Sequence, residues 1–503
     1  MKIFLLKARI AMTFPYMKRW RKIAFYLVSL CFVSTALSAK EEPRPNILFC
    51  IADDWGWPHA GAYGEPVVQT PTFDRIARQG VLFHHAYISS PSCTPSRNAI
   101  LTGQWHWRLG PGGNLHSTLD QKLKVYPHIL AKAGYHTGYW RKSWGPGKLD
   151  GKWKKDPPAG KNYKKGFAQF LAARPKGEPF CFWLGASDPH RPYETGSGRE
   201  SGMDLSKIKL FPFFPESEVI RSDYADYFFE VQRFDDDVAA ALKLLEETGE
   251  LDNTIVVITG DHGMPFPRCK SNVYDSGSRV PLVLSWPAKV KAGQVMNGFV
   301  SLTDLAPTFL SAAGVAIPDE MTGRDLLPAV TGGGDALLRQ DVLFGKERHV
   351  PSQEAPDMGG YPTRALRTAD FLYIRNYEPY RWPNGTPFWE KAAFTGAWFG
   401  DTDGGPTKNY IADNKDKDEA HRRSWDWCFA KRPADELYDL KKDPDQLHNV
   451  AAEVAYAGVL KKLTTQLTAE LAASGDPRHT ETPVLFDTYP YTGGTPKHPD
   501  FKK

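Results

Sequence analysis

The chain has 503 residues, 24% of them charged and 41% hydrophobic, proportions of a globular protein that exclude a disordered chain and allow one large domain plus a smaller one. Its formal charge of +5 rests on the first 39 residues, which hold seven Lys or Arg and no acid, so the remainder carries −2 and gives no reason to expect a nucleic-acid partner.

At the N-terminus, Lys18-Arg19-Trp20-Arg21-Lys22 precedes the apolar run Ile23 to Ala36, and Ala36-Leu37-Ser38-Ala39 offers small residues for cleavage. Residues 1–39 therefore read as a secretory signal peptide, too short and wrongly flanked for an integral membrane anchor, and predict a periplasmic or secreted protein. Beyond it, Cys50, Cys93, Cys181, Cys269 and Cys428 are too widely spaced for a disulfide framework or a Cys-x-x-Cys zinc site. Cys50 and Cys181 lie in apolar runs, as core thiols do. Whether Cys269 and Cys428 pair is left open by the sequence.

Asn46 to Ala52 predicts a buried strand, Thr72 to Gly80 a helix, and Val81 to Ile88 a strand that leads to a Ser/Pro loop. Cys93 to Thr102 predicts a helix with Pro95 in its first turn. Tyr126 to Ala133 reads as a helix, and Tyr135 to Trp140 and Pro179 to Ala186 read as strands. Ser222 to Gly249 is the longest helical pattern, with Tyr227, Val231, Phe234, Val238 and Leu242 on one face. Thr254 to Thr259 and Pro281 to Ser285 are further strands. This alternation predicts an α/β fold, a large mostly parallel sheet sandwiched by helices, spanning residues 45–363. A smaller C-terminal subdomain over 364–475 should carry strands in Arg364 to Asn376, an aromatic loop from Trp382 to Lys417 and a closing helix from Ala451 to Ala473. The Pro/Thr/Gly-rich tail, 476–503, either lies on the surface or is disordered.

Ligands of such sheets gather at the carboxyl ends of the strands. Asp53-Asp54, His190 and Asp261-His262 all fall there. Adjacent carboxylates are costly unless a cation neutralises them, and Asp53, Asp54, Asp261 and His262 supply three carboxylates and an imidazole for a divalent ion. Between these tips, Cys93 sits among hydroxyls, prolines and Arg97, surroundings that suit a reactive thiol better than a packing one.

Cys93-Thr94-Pro95-Ser96-Arg97 matches the Cys-x-Pro-Ser-Arg signature, and on this segment and the two acidic tips the sequence resembles the type I sulfatases of the alkaline phosphatase superfamily. The resemblance runs from about Pro45 to about Glu470 and agrees with the fold class, adding a C-terminal antiparallel sheet with a helix packed on it. It implies that Cys93 is oxidised to Cα-formylglycine (3-oxoalanine) by a formylglycine-generating or equivalent maturase, and that Asp53, Asp54, Asp261 and His262 bind one Ca2+ together with the side chain at position 93. It further implies that Arg97 anchors the hydrated aldehyde, that Lys142 and Lys270 neutralise sulfate oxygens, and that His190 contacts sulfate or protonates the leaving group. Arg141-Lys142-Ser143-Trp144 departs from the family's Gly-Lys-x-His, with Trp144 in the place of the histidine.

Asp261 to Pro267, Ser187 to Arg191, Phe344-Gly345 and Tyr361 to Arg364 resemble the sulfamidase branch, which makes Arg191, Glu347, Arg348 and His349 candidates for gripping an anionic sugar. The expected substrate is a sulfated saccharide, N- or O-sulfated. The rivals are a phosphodiester or phosphonate monoester hydrolase of the same superfamily and a non-catalytic protein that binds sulfated glycans.

Overall fold

The computed structural model describes residues 43–502; the expected signal peptide lies outside them. Among these residues no helix is long and apolar enough to cross a membrane.

The large sheet has eight strands in the order β4-β3-β5-β1-β6-β7-β2-β8. They are β1 (Asn46–Ala52), β2 (Val81–Tyr87), β3 (His136–Arg141), β4 (Lys161–Asn162), β5 (Phe180–Gly185), β6 (Thr254–Gly260), β7 (Arg279–Ser285) and β8 (Gln294–Ser301). Only β7 runs against its neighbours. β1, β5 and β6 are buried along their whole length, as continuous apolar runs must be when helices cover both faces.

The longer helices are α1 (Pro71–Gln79), α2 (Cys93–Thr102), α3 (Tyr126–Lys132), α4 (Phe167–Ala173), α5 (Glu218–Glu247), α6 (Leu305–Ala312), α7 (Pro406–Asp413), α8 (Glu419–Phe429) and α9 (Ala457–Ala473). One core layer packs Leu48, Cys50, Leu184 and Val256 against α5 residues such as Tyr224, Val231, Phe234 and Val238. The other packs Phe49, Ile51 and Val257 against Ile100 of α2, Leu130 of α3 and Phe309 of α6. The alternating inward side chains of β1 feed both layers.

The helix α5 is the chief brace. Ser217 caps it, accepting from Val219 N at 3.2 Å. Its buried acids then tie down neighbouring segments: Asp235 accepts from Thr72 N and Phe73 N in the first turn of α1, each at 2.8 Å, and Asp226 accepts from Gly196 N and Gly198 N, each at 3.0 Å.

The second sheet is antiparallel, ordered β12-β11-β10-β9, from β9 (Asp341–Lys346), β10 (Thr363–Thr368), β11 (Phe371–Asn376) and β12 (Asp435–Asp439). β9 joins it from ahead of residue 364. Leu463, Leu467 and Leu471, four apart on α9, cover it. Two short helices fall where sequence periodicity gave little: α7 inside the aromatic loop, and α8 after it. Cys269 and Cys428 are both free, buried thiols.

Candidate active site

Strand register brings the acidic tips together. Ala52 pairs with Gly260 and Ile51 with Gly185, so the residues that follow emerge side by side. The backbone continues the pattern, with Asp261 N donating to Ala52 O at 3.1 Å and Asp53 N to Asp188 O at 3.0 Å. Asp54 takes a left-handed conformation, φ 77°, uncommon for a non-glycine residue and a mark of a turn held by its surroundings.

Cys93 opens α2, a helix buried along all ten residues. Gly103 ends the helix at φ 64°, the left-handed position that glycine fills without a Cβ penalty. The Cys93 Sγ lies 3.2 Å from His262 Nε2. His262 Nδ1 lies 3.0 Å from the Gly263 carbonyl, an acceptor, so the tautomer that fits carries its proton on Nδ1 and turns a lone pair outward from Nε2. That lone pair faces Asp54 Oδ1 at 3.2 Å and Asp261 Oδ1 at 3.6 Å. Asp54 Oδ1 is buried and accepts no hydrogen bond. Asp261 Oδ1 accepts from Asp54 N at 2.8 Å. Such a knot of electron-rich atoms fits a divalent cation, and Asp53, Cys93, Asp261 and His262 offer ligand atoms all within 4.8 Å of one another.

Cations enclose this centre. Arg97, four residues into α2, donates to Asp261 Oδ2 at 2.8 Å and to Asp53 Oδ1 at 3.3 Å. Lys142 Nζ reaches both oxygens of Asp53 at 2.6 Å. Burial works against charge on Asp53, but Lys142 and then Arg97 outweigh it and hold the carboxyl well below the usual range. On Asp54 burial wins over Lys270 and the pKa is raised. The Cys93 thiol is also pushed up by burial, although Lys142 and Lys270 oppose it, so the unmodified side chain is poorly disposed to be a thiolate.

Lys270 Nζ lies 2.9 Å from Asp54 Oδ2 and 2.8 Å from Asp403 Oδ2. His190 is the most open of these groups, with 35% of its side chain exposed. Its Nδ1 donates to the Arg191 carbonyl at 2.6 Å, and Nε2 points inward, 4.0 Å from Asp54. Asp54, His190 and Asp403 form a second close group at the mouth. Asp403 escaped the sequence reading, because an acid in Asp401-Thr402-Asp403-Gly404-Gly405 looks like any polar loop residue.

All four sugar-gripping candidates have internal partners. Arg191 forms a two-pronged pair with Asp223 at 2.8 and 2.7 Å. Glu347 accepts from Arg364 and Arg478 at 2.6 Å each. Arg348 donates to the carbonyls of Asp487 and Tyr489. His349 is buried against Ser92, Nδ1 to Oγ 2.8 Å. Trp144 packs on the core, and two residues later the Pro146 carbonyl accepts from Thr94 Oγ1 at 2.5 Å, so this segment abuts the first turn of α2 without an imidazole of its own.

Comparison with known proteins agrees with this geometry. The family model described as Sulfatase matches residues 45–315, and that of the N-sulphoglucosamine sulphohydrolase C-terminal region matches 260–379. The human N-sulphoglucosamine sulphohydrolase is 30% identical over 477 residues, 85% of this chain and 90% of that protein. An ulvan-active sulfatase of Formosa agariphila is 29% identical over 462 residues, 88% of this chain and 82% of that one. In fold, the chain resembles a protein solved with its substrate D-glucosamine-2-N,6-O-disulfate, with a TM-score of 0.57 and 22% identity over 86% of this chain and 98% of the other. The phosphonate monoester hydrolase of Agrobacterium radiobacter shares the fold as well, with a TM-score of 0.61 and 16% identity over 86% and 96% of the two chains.

Proposed function

The chain belongs to the sulfatase family and is a sulfuric ester or sulfamate hydrolase, and on that premise we propose that it removes the N-sulfate of a glucosamine-type saccharide with the side chain of residue 93 as nucleophile. The observation that carries the nucleophile's assignment is the position of Cys93, 3.2 Å from His262 Nε2 beside the clustered Asp54, Asp261 and His262. The N-sulfated substrate is supported by the C-terminal match over 260–379 and by the human relative.

In this reading a maturase converts Cys93 to formylglycine, whose hydrated form supplies one oxygen to attack sulfur and a second whose ionisation releases the bound sulfate. A cation held by Asp53, Asp54, Asp261 and His262, calcium by family habit, would supply positive charge beside position 93. The chain's own residues do the rest. Arg97 fixes the metal-side carboxylates from below and orients the first turn of α2. Lys142 and Lys270 bring fixed positive charge to a water-poor site, where it counts most as the S–N or S–O bond breaks. His190 stands at the open side with Nδ1 tied to a carbonyl, so that Nε2, once it has taken up a proton from solvent, passes it to the departing nitrogen or oxygen. The basic, apolar and small-residue order of the N-terminus supports export to the periplasm or beyond.

Intact-mass measurement tests the modification: the aldehyde weighs about 18 Da less than the cysteine form, by atom bookkeeping on the oxidised side chain. Turnover of glucosamine N-sulfate, glucosamine 6-sulfate and a phosphonate monoester then separates the substrates. Preference for the phosphonate would favour the rival hydrolase, and unmodified Cys93 without turnover would favour a binding protein.

A further inference from the structure

The last segment of the chain is not a loose tail. It follows Phe486, which is buried, and is anchored at several points along its length. Arg348 holds its start through the Asp487 carbonyl at 3.0 Å, and Arg381 holds Asp487 Oδ2 at 2.9 Å. Thr492 N donates to His116 O at 2.9 Å. On the far side, Trp398 N donates to Pro496 O at 3.2 Å, and His498 stacks on Trp389 with centroids 5.2 Å apart. This strap thus spans from the loop after α2 to the loop that carries Asp401 and Asp403.

Midway along it, the half-buried Tyr491 packs against the small cluster of Cys93, Leu115 and Val350. Its ring meets His116 edge-on at 5.3 Å and Phe394 edge-on at 5.9 Å, and the Arg348 guanidinium stands 6.0 Å from its centroid. The phenol is occupied with its own strap, donating to Gly494 O at 2.6 Å. Three aromatic rings from three chain segments therefore stand together, each only partly buried, and the central one packs on the cluster that holds the nucleophile. A packing role alone gives no reason for that exposure. Flat apolar faces beside a polar reaction centre suit a pyranose, whose axial C–H groups present an apolar surface while its hydroxyls face water or polar groups.

We propose that the C-terminal strap, through Tyr491 flanked by His116 and Phe394, is the wall that recognises the sugar ring bearing the sulfate. The proposal rests on the sulfatase reading and adds to it the surface that distinguishes a saccharide from any other sulfate carrier. Tyr491 acts by its ring face, so phenylalanine serves as well as tyrosine.

The test is the ratio of kcat/KM for glucosamine N-sulfate to that for 4-nitrophenyl sulfate, measured on the metal-loaded, modified full chain. Tyr491→Ala should lower the ratio about tenfold, chiefly through KM of the saccharide, the scale of a lost apolar contact in a binding pocket, while Tyr491→Phe keeps it within about twofold. Should Tyr491→Ala fail to fold, Phe394→Ala on a separate segment reads the same ratio and should lower it too. Parallel loss of both substrates overturns the wall and leaves the sulfatase reading standing. Failure of the unsubstituted enzyme to hydrolyse either overturns both.

Discussion

Arg97 Nε donates to Asp261 Oδ2 at 2.8 Å, and neither side chain is exposed to solvent. One bond thus ties the helix that starts at the nucleophile to the strand tip that faces it, 164 positions along the chain. Removing the guanidinium would leave Asp53 and Asp261 buried with less compensation than they need. Arg97→Ala should therefore cost about 3 kcal/mol of stability, the scale for breaking a buried pair from one side, and roughly 100-fold in kcat/KM as position 93 loses its orientation. Urea unfolding and steady-state assays check this. Activity within a few-fold of the parent would rule out an orienting role.

The unpartnered Asp54 Oδ1 and the outward lone pair of His262 predict a thermal response to metal. Calcium at about 100 times its dissociation constant should stabilise the protein by about 2.7 kcal/mol, and a chelator should reverse the gain. Asp54→Ala should remove most of that shift. His262→Asn should keep it and move ion preference further toward calcium, since an amide oxygen suits that ion better than an imidazole nitrogen. A melting curve indifferent to calcium and chelator alike would refute the donor set.

How much of this could be read in advance follows from what each residue's neighbours in sequence reveal. Asp53, Asp54, Asp261 and His262 end apolar runs, and parallel strands carry their ligands at such ends, so the convergence was legible. Residues whose partners come from far along the chain were not. Arg191 and Glu347 read as candidates for gripping an anionic sugar, and nothing beside them in sequence signals that Asp223 on α5 pairs with the first, and Arg364 with Arg478 pairs with the second. Asp403 and Tyr491 lie in Gly- and Pro-rich segments with no periodicity, and only their tertiary contacts bring the first to Lys270 and the second to the cluster around Cys93. The helix α8 was missed for a related reason: its buried face, with His421, Ser424, Cys428 and Phe429, is too polar to stand out as an amphipathic stripe.

The loop that carries Asp403 has an internal anchor in Lys408. Its Nζ donates to the carbonyls of Trp398 and Thr402, each at 2.8 Å, and to that of Phe399 at 3.3 Å. Burial brings its pKa down to about 7, with Asp403 acting the other way. Lys408→Met would leave those carbonyls without their donor, at about 1–3 kcal/mol for each one that stays buried. The expected result is a KM for the saccharide raised about tenfold as Asp403 and the strap's far anchor loosen, with the calcium-induced shift in melting retained. Equal damage to KM and to the calcium response would mean that the lysine supports the whole centre rather than this loop.

His59 gives the protein an acid sensitivity separate from its chemistry. The ring is buried among Phe211, Tyr224, Tyr227 and Phe228, with Nδ1 3.4 Å from the Tyr227 hydroxyl, and burial lowers its pKa to about 3. Between that value and the ordinary 6.5, the unfolded chain binds a proton here that the folded chain does not. This contribution is therefore fully present above pH 6.5 and lost as pH falls toward 3, reaching about 3 kcal/mol near pH 4.5 at 1.36 kcal/mol per unit. His59→Phe keeps an aromatic ring and cannot take up the proton. The gap in melting temperature between pH 7 and pH 4.5 should shrink in that variant, while identical gaps in variant and parent would place the acid sensitivity elsewhere.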